Sequence, residues 1–256
     1  MNAPYNRGMR QRPFVLSSDP YAPFPHAGTA MREPAGLLAI GGDLSLPRLL
    51  NAYRHGIFPW FSDGQPPLWW SPDPRMVFHT DGVRLSSRFR RELKRSAWQV
   101  RADTRFEQVI TACAQSPRPG QHGTWITSGM RQAYIDLHRQ GHAHSVEVFD
   151  GDRLAGGIYG VAIGRMFFGE SMFSHLSGAS KVALAALATR LREWGWPLID
   201  AQVENDHLHS LGGCLVPRET FLEQVACLVD LPTPEGAWTA RFGVLPTALL
   251  SQPSVP

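Results

Sequence analysis

The sequence predicts an α+β fold, a small N-terminal unit followed by a larger one built on a largely antiparallel sheet with flanking helices. Three observations carry this. Residues His144–Phe149, Leu154–Ile163 and Arg165–Gly169 are apolar, β-prone runs separated by Asp150-Gly151-Asp152 and by Gly164, the pattern of an antiparallel meander. Next comes a stretch from Gly178 to Trp194 with Leu184, Leu187, Leu191 and Trp194 at spacings of three and four, closed by Gly195 and followed by a buried strand Leu198–Val203. Finally, Pro66 to Pro74 holds four prolines in nine residues, which neither a helix nor a central strand tolerates, so the junction between units 1–74 and 75–256 falls there.

The remaining elements follow in chain order. Met1–Pro23 reads as a mobile polar tail. A helix then starts at Ser45 as cap, with Pro47 in its first turn, a stripe of Leu46, Leu49, Leu50 and Tyr53, and Gly56 as its stop. A basic helix spans Ser86–Arg95. A second is opened by the capping box Thr104-x-x-Glu107, with Phe106, Val109, Ile110 and Cys113 turned inward, and a third runs Thr127–Gly141. After the buried strand come a short helix ending at Gly212-Gly213 and a last helix over Arg218–Val229. Pro232–Pro256, with five prolines, reads as an irregular tail. Meander, helix, strand, helix is the plan of the GCN5-related acyltransferase fold, a likeness of architecture alone.

Bulk properties exclude several classes. With 256 residues, 43% of them hydrophobic, the chain can bury a core without a metal or disulfide staple. Cys113, Cys214 and Cys227 are an odd number with no C-x-x-C, which argues against a disulfide framework or zinc knuckle and for a reducing, cytoplasmic setting. No segment offers the roughly 20 apolar residues of a membrane span, and the N-terminus lacks the apolar run of a signal peptide. A net charge of +3 is too small to establish a nucleic-acid partner, so local charge placement decides.

Arg84, Arg88, Arg90, Arg91, Lys94 and Arg95 crowd into twelve residues against one acid, Glu92. A solvated face is the ordinary reading of such a run, but the shortage of acids favours a polyanion such as RNA or DNA phosphate. On a helix, Arg84, Arg88, Arg91 and Arg95 would share one stripe. In Leu198–Val203 an apolar strand is interrupted by Asp200 and Gln202, two apart and hence on one face; the pair either satisfies neighbouring backbone or does chemistry. The facing strand Met166–Ser174 ends in Gly169, Glu170, Ser171 and Ser174, a cluster suited to lining a cleft. Gly169-Glu170-Ser171-Met172-Phe173 lacks the second glycine of a nucleophile elbow. Neither His142-Ala143-His144 nor His207-Leu208-His209 has the spacing of a metal motif, and Gly156-Gly157-Ile158-Tyr159-Gly160 suits close backbone packing better than a phosphate loop. Phe58–Phe61, Trp69-Trp70 and Trp125 lie in turn-rich stretches, where rings stack a base, line a pocket or pack in the core.

Taken in order, Arg32–Ser45, Tyr53–Phe61, Leu68–Arg75, Gly123–Thr127, Gly141–Val148, Gly169–Ser174, Ala179–Lys181 and Leu198–Val203 resemble the leucyl/phenylalanyl-tRNA-protein transferases, over roughly Phe24–Leu231. Two departures stand out: Ala201 where that family commonly has Cys, and Ser86-Ser87-Arg88 where its basic motif usually begins Ser-Arg-Ser. The resemblance implies an enzyme, without cofactor or metal, that moves Leu, Phe or Met from aminoacyl-tRNA to proteins beginning with Arg or Lys and so marks them for degradation. A monomer is expected. It further implies that Asp200 hydrogen-bonds Gln202, whose side chain orients the incoming amine, while Glu170 helps hold the positive acceptor; Asp200 acts either as a base or only as an orienting group, with tRNA hydroxyls relaying the proton. The amino-acid pocket would use Ile158, Phe167, Phe173, Ser174, Leu184 and Ile199, with Trp60 and Trp125 near the ester and terminal adenosine, and the arginine cluster would grip acceptor-stem phosphates. Two rivals remain at this stage, an acyl-CoA-dependent N-acyltransferase and a non-catalytic RNA-binding module.

Overall fold

The computed structural model describes residues 12–116, 124–233 and 236–251; Gly123 and the chain ends 1–11 and 252–256 lie outside them. Two sheets organise the chain. The first contains β1 (Phe14–Leu16), β2 (Leu37–Gly41), β3 (Phe58–Pro59) and β4 (Leu68–Trp70) in the order β1-β2-β4-β3, with α1 (Leu46–Arg54) between β2 and β3. Pro47 sits in the first turn of α1, where its missing N–H costs nothing, and Leu49, Ala52 and Tyr53 bury its inner face. Gly56 ends the turn that follows at φ +68°, and a Cβ there would meet Leu222 at 2.6 Å, so both backbone and packing demand glycine.

The second sheet runs β11-β5-β10-β9-β8-β7-β6-β12. Its strands are β5 (Arg75–His79), β6 (Gln99–Ala102), β7 (Ala143–Asp150), β8 (Arg153–Ile163), β9 (Met166–Ser174), β10 (Leu198–Gln202), β11 (Cys214–Val216) and β12 (Leu245–Pro246). Every pairing in it is antiparallel except β9 with β10, which are joined through α5 (Ala179–Glu193). Also present are α2 (Ser87–Leu93), α3 (Phe106–Gln115), α4 (Ser128–Arg139), α6 (Asp206–Ser210), α7 (Arg218–Leu228) and α8 (Trp238–Phe242). The expected α+β plan with a largely antiparallel sheet is therefore the observed one. One apolar cluster holds α3, α4 and α7 against the large sheet, and the other holds α5 and α8. Leu49, Tyr53 and Trp69 of the N-terminal part share the first cluster with Val109, Tyr134 and Phe168, so that part completes a common core.

Four local expectations need correction. Within the N-terminal stretch read as a tail, β1 pairs in parallel with β2, and the fully buried Arg48 clasps the segment by donating to the carbonyls of Ser17, Asp19 and Ala22. The stretch after Pro232 is structured too, because Trp238 is buried against Trp194, Trp196 and the ring of His144 while β12 extends the sheet beside β6. Thr104 does not form a capping box; its hydroxyl donates to Glu147 Oε2 at 2.9 Å, and the carboxylate of Glu147 also accepts from the backbone N–H groups of Thr104 and Arg105 ahead of α3. Last, the basic helix is shorter than its charge run. Ser86 caps it by accepting from the N–H of Phe89, and Arg84 and Arg95 fall beyond its ends, so the four arginines do not share one helical face.

Candidate active site

The site begins with two β-bulges on neighbouring strands. The register of β9 against β8 shifts between Tyr159 and Gly160, leaving Glu170 as the extra residue, and β10 is irregular between Asp200 and Gln202, where Gln202 takes φ +62°. The parallel pairing of β9 with β10 reaches only Asp200 opposite Phe168. Beyond that point the strands part, and a cavity of about 360 Å³ occupies the fork. Phe78, Ile158, Met172, Leu184, Ile199 and Leu208 line it with apolar surface, Glu170 and Gln202 are on its wall, and Trp60 and Trp125 border it. This size and mixture suit a small molecule with one apolar part and a few polar anchors.

Behind the fork a charged pair is sealed in. Arg75 opens β5, which runs antiparallel to β10, and its Nε and Nη2 donate to Asp200 Oδ1 and Oδ2 at 2.8 and 2.7 Å, both side chains being fully buried. Its Nη1 donates to the carbonyl of Gly56 at 3.1 Å, and the guanidinium lies between the rings of Phe58 and Phe221, 4.8 and 4.5 Å from their centroids. Asp200 Oδ1 also accepts from the backbone N–H of Gln202 at 2.9 Å. The expected contact between Asp200 and Gln202 thus exists, but through the backbone; the bulge turns the Gln202 amide elsewhere, and its Nε2 donates to Glu170 Oε1 at 2.7 Å.

Glu170 is the second polar centre. Tyr53 of α1 lies 2.7 Å from its Oε1 and Tyr134 of α4 lies 2.8 Å from its Oε2, and the two phenol oxygens hydrogen-bond each other. Burial, followed in importance by the charge of Asp200 among the raising influences, pushes the Glu170 carboxyl up to about 8, against the lowering effect of its hydrogen bonds. Burial, reinforced by Glu170, holds both tyrosines well above their ordinary range.

Among the substrate residues read from sequence, Trp60, Trp125, Ile158, Leu184 and Ile199 come together around the cavity. Phe167, Phe173 and Ser174 do not line it. The bulge at Glu170 reverses the alternation of β9, so Phe173 packs into the core with α3 while Met172 takes the place facing the cavity. Phe167 lies deeper, 5.9 Å from the ring of Trp238. Ser174 accepts from the N–H of Ser180 at the start of α5. The sequence reading missed Phe78, Met172 and Leu208 on the cavity wall, Tyr53 and Tyr134 beside Glu170, and Arg75. Arg75 carried a usable sign, a charge opening the apolar strand Arg75–His79, like the acid in β10.

Arg84, Arg88, Arg91, Lys94 and Arg95 are exposed; Arg90 is half-buried and donates to the carbonyl of Leu85, and Arg88 pairs with Glu92 at 3.1 Å. The backbone N–H of Arg84 donates to the carbonyl of Leu211, directly after α6, and α6 supplies Leu208 to the cavity. The basic segment and the cavity are therefore neighbours. The glycine run of β8 serves packing: a Cβ on Gly160 would lie 2.2 Å from the carbonyl of Phe168, and one on Gly156 would lie 2.6 Å from Ala179. No group of three His, Cys, Asp or Glu able to hold a metal occurs among the described residues, and no helix there is long and apolar enough to cross a membrane.

Comparison with known proteins places the chain among the aminoacyltransferases. Residues 77–226 match the family profile described as leucyl/phenylalanyl-tRNA protein transferase, and residues 42–73 match the profile of the N-terminal domain of the same family. A leucyl/phenylalanyl-tRNA--protein transferase of Xanthomonas euvesicatoria pv. vesicatoria (strain 85-10) is 71% identical over 91% of this chain and 93% of its own. Another, from Xylella fastidiosa (strain M23), is 62% identical over 92% and 97%. The chain belongs to the leucyl/phenylalanyl-tRNA protein transferase family. A crystal structure of FemX aligns over 71% of each chain with 11% identity and a TM-score of 0.42, a distance at which no chemistry is inferred.

Proposed function

We propose that this protein transfers a leucyl or phenylalanyl group, and also methionyl, from the 3′ end of a charged tRNA to the α-amino group of a protein that begins with Arg or Lys, marking it for degradation in the cytoplasm. The observation that carries this reading is the cavity of about 360 Å³, lined by six apolar side chains and provided with one fixed amide, bordered by two indoles and beside a run of exposed cations. The family resemblance supports the acceptor's Arg or Lys. An apolar pocket separates ligands differing by a methylene by only about 1–3 kcal/mol, which agrees with shared use of Leu, Phe and Met.

In this reaction the amine attacks the ester carbonyl, a C–N bond forms, the C–O bond to the terminal ribose breaks, and the amine proton ends on the departing ribose oxygen. The ester is already activated and a free α-amino group has a pKa of about 7.7–8.0, so positioning is the main task. Trp60 and Trp125 flank the terminal adenosine and ester, while the aminoacyl side chain fills the hollow of Phe78, Ile158, Met172, Leu184, Ile199 and Leu208. Gln202 offers its Oε1 to an N–H of the attacking amine. Asp200 holds the backbone of Gln202 while its own charge is matched by Arg75, so it works as a positioning residue. Arg84, Arg88, Arg90, Arg91, Lys94 and Arg95 meet the acceptor-stem phosphates, reading charge and shape.

Incubation with Phe-tRNA and a peptide beginning with Arg, followed by mass spectrometry, tests the reading. One added phenylalanine at the peptide N-terminus is expected; an unmodified peptide alongside consumption of acyl-CoA would overturn it, as would binding of charged and uncharged tRNA alike with no transfer.

A further inference from the structure

We infer that Glu170 works as a neutral carboxylic acid, closed with Tyr53 and Tyr134 into a ring of three hydrogen bonds that fixes the amide of Gln202, and that all three are positioning residues for the transfer proposed above. The inference rests on that reading of the cavity for its role in the reaction, though not for the state of the carboxyl itself. It also removes Glu170 from the task of holding the acceptor's positive charge.

The argument starts from a count of protons. Three oxygen–oxygen contacts join the group: Tyr53 to Tyr134, Tyr53 to Glu170 Oε1, and Tyr134 to Glu170 Oε2. Two phenols carry two protons. With Glu170 ionised, one of the three contacts would hold two facing lone pairs and no hydrogen, a repulsive arrangement in a place where water cannot relieve it. With Glu170 protonated on Oε2 the count closes: Oε2–H donates to Tyr134, Tyr134 donates to Tyr53, and Tyr53 donates to Oε1. Each phenol then gives one hydrogen bond and takes one, Oε2 gives one, and Oε1 takes one and retains a lone pair for Gln202.

The surroundings agree. Tyr53, Tyr134 and Glu170 come from α1, α4 and the bulge of β9, and all three are buried. Tyr159 faces Tyr134 from β8, their ring centroids 5.6 Å apart, and Asp200 adds negative charge from β10. The nearby cation, Arg75, is committed to Asp200 and to the carbonyl of Gly56. Among the described residues no Lys, Arg or His forms an ion pair with Glu170. A buried carboxylate without a cation is costly, whereas the neutral acid is not. The upward shift of the Glu170 carboxyl points the same way.

The consequence falls on Gln202. Because Oε1 of the neutral acid is an acceptor, the Gln202 NH₂ must face it, as observed at 2.7 Å. Its Oε1 is then the acceptor left for a substrate N–H in the cavity that Gln202 lines. Ionisation of Glu170 would leave one contact of the ring without a hydrogen and push its oxygens apart, so the carboxyl that anchors the amide would move from its place.

The decisive variant is Glu170→Gln, which replaces the acid by a neutral group with a donor at one ε position and an acceptor at the other. Transfer by Glu170→Gln at about pH 7 should stay within about threefold of wild type, while Glu170→Ala should lose about a hundredfold or more. Wild-type kcat should fall on the alkaline side, and Glu170→Gln should lack that fall. The infrared difference between wild type and Glu170→Gln, which cancels the band of the buried Glu147 carboxyl, itself raised to about 7, should show a protonated-carboxyl C=O band at about pH 6 that disappears towards about pH 10. A Glu170→Gln protein with wild-type unfolding midpoint and the inactivity of Glu170→Ala would overturn the inference, as would absence of the band at about pH 6. If wild type itself fails to transfer, the proposed function falls, and the infrared band still decides the state of Glu170.

Discussion

Replacing Asp200 by Ala should unfold the protein more readily before it says anything about catalysis. Asp200 receives two guanidinium N–H bonds at 2.7–2.8 Å and one backbone N–H at 2.9 Å, and its side chain and that of Arg75 have no exposed surface. Its removal strands a guanidinium among Phe58, Phe221 and a single carbonyl. Breaking one partner of such a buried pair costs about 3–5 kcal/mol, a large part of the roughly 5–15 kcal/mol that holds a domain together. With a urea m-value of about 2 kcal/mol/M, the midpoint should drop by about 2 M. Arg75→Met should cost a similar amount. The double variant Arg75→Met/Asp200→Ala, which buries no charge, should be destabilised much less than the sum of the single variants, leaving a coupling of about 3 kcal/mol. Urea unfolding followed by tryptophan fluorescence measures all four corners of the cycle. Single effects that add within about 0.5 kcal/mol would refute the view of Arg75 and Asp200 as one unit.

Two further outcomes are expected. Replacing both Arg88 and Arg91 by Gln should flatten the slope of log Kd for tRNA against log salt by roughly 1.5, since each phosphate contact contributes roughly 0.7–0.9; an unchanged slope removes these two exposed arginines from the interface. The Glu170 carboxyl, with an ordinary value of 4.5, sits at about 8 in the folded chain, so between these limits the native state binds a proton that the unfolded state has released. Its contribution to stability is therefore full below about pH 4.5, declines as pH rises through that window, and is gone above about pH 8. The unfolding free energy of wild type minus that of Glu170→Gln should shrink by a few kcal/mol from about pH 5 to about pH 8.5; a difference that stays level with pH in denaturant titrations would contradict the shift.

The elements legible in the sequence were those with a local signature. The apolar run Leu154–Ile163, the threefold and fourfold spacing of Leu184, Leu187 and Leu191, and the stops at Gly56 and Gly195 all mark structure through neighbours a few residues away. Arg48 and Trp238 left no such trace. The first organises β1 through carbonyls up to 31 residues distant, and the second packs against rings contributed by β7 and by the turn that closes α5. In the candidate site, Asp200, Gln202 and Glu170 stood out as polar residues in apolar strands, whereas Tyr53 read simply as part of a helix stripe.

What the chain determines by itself is the meander of β7 to β9, the helices α1 to α7 and the strand β10, the basic run from Arg84 to Arg95, and the motif series that marks its family, because periodicity, charge and spacing belong to the covalent sequence. Only the tertiary structure decides that Asp200 meets Arg75 across 125 positions, that Tyr53 and Tyr134 close on Glu170, and that Met172 rather than Phe173 faces the cavity. Each depends on bulges and burial that arise when distant segments meet: a one-residue slip in a strand reverses every side chain after it, and a carboxyl's charge answers to the groups packed around it.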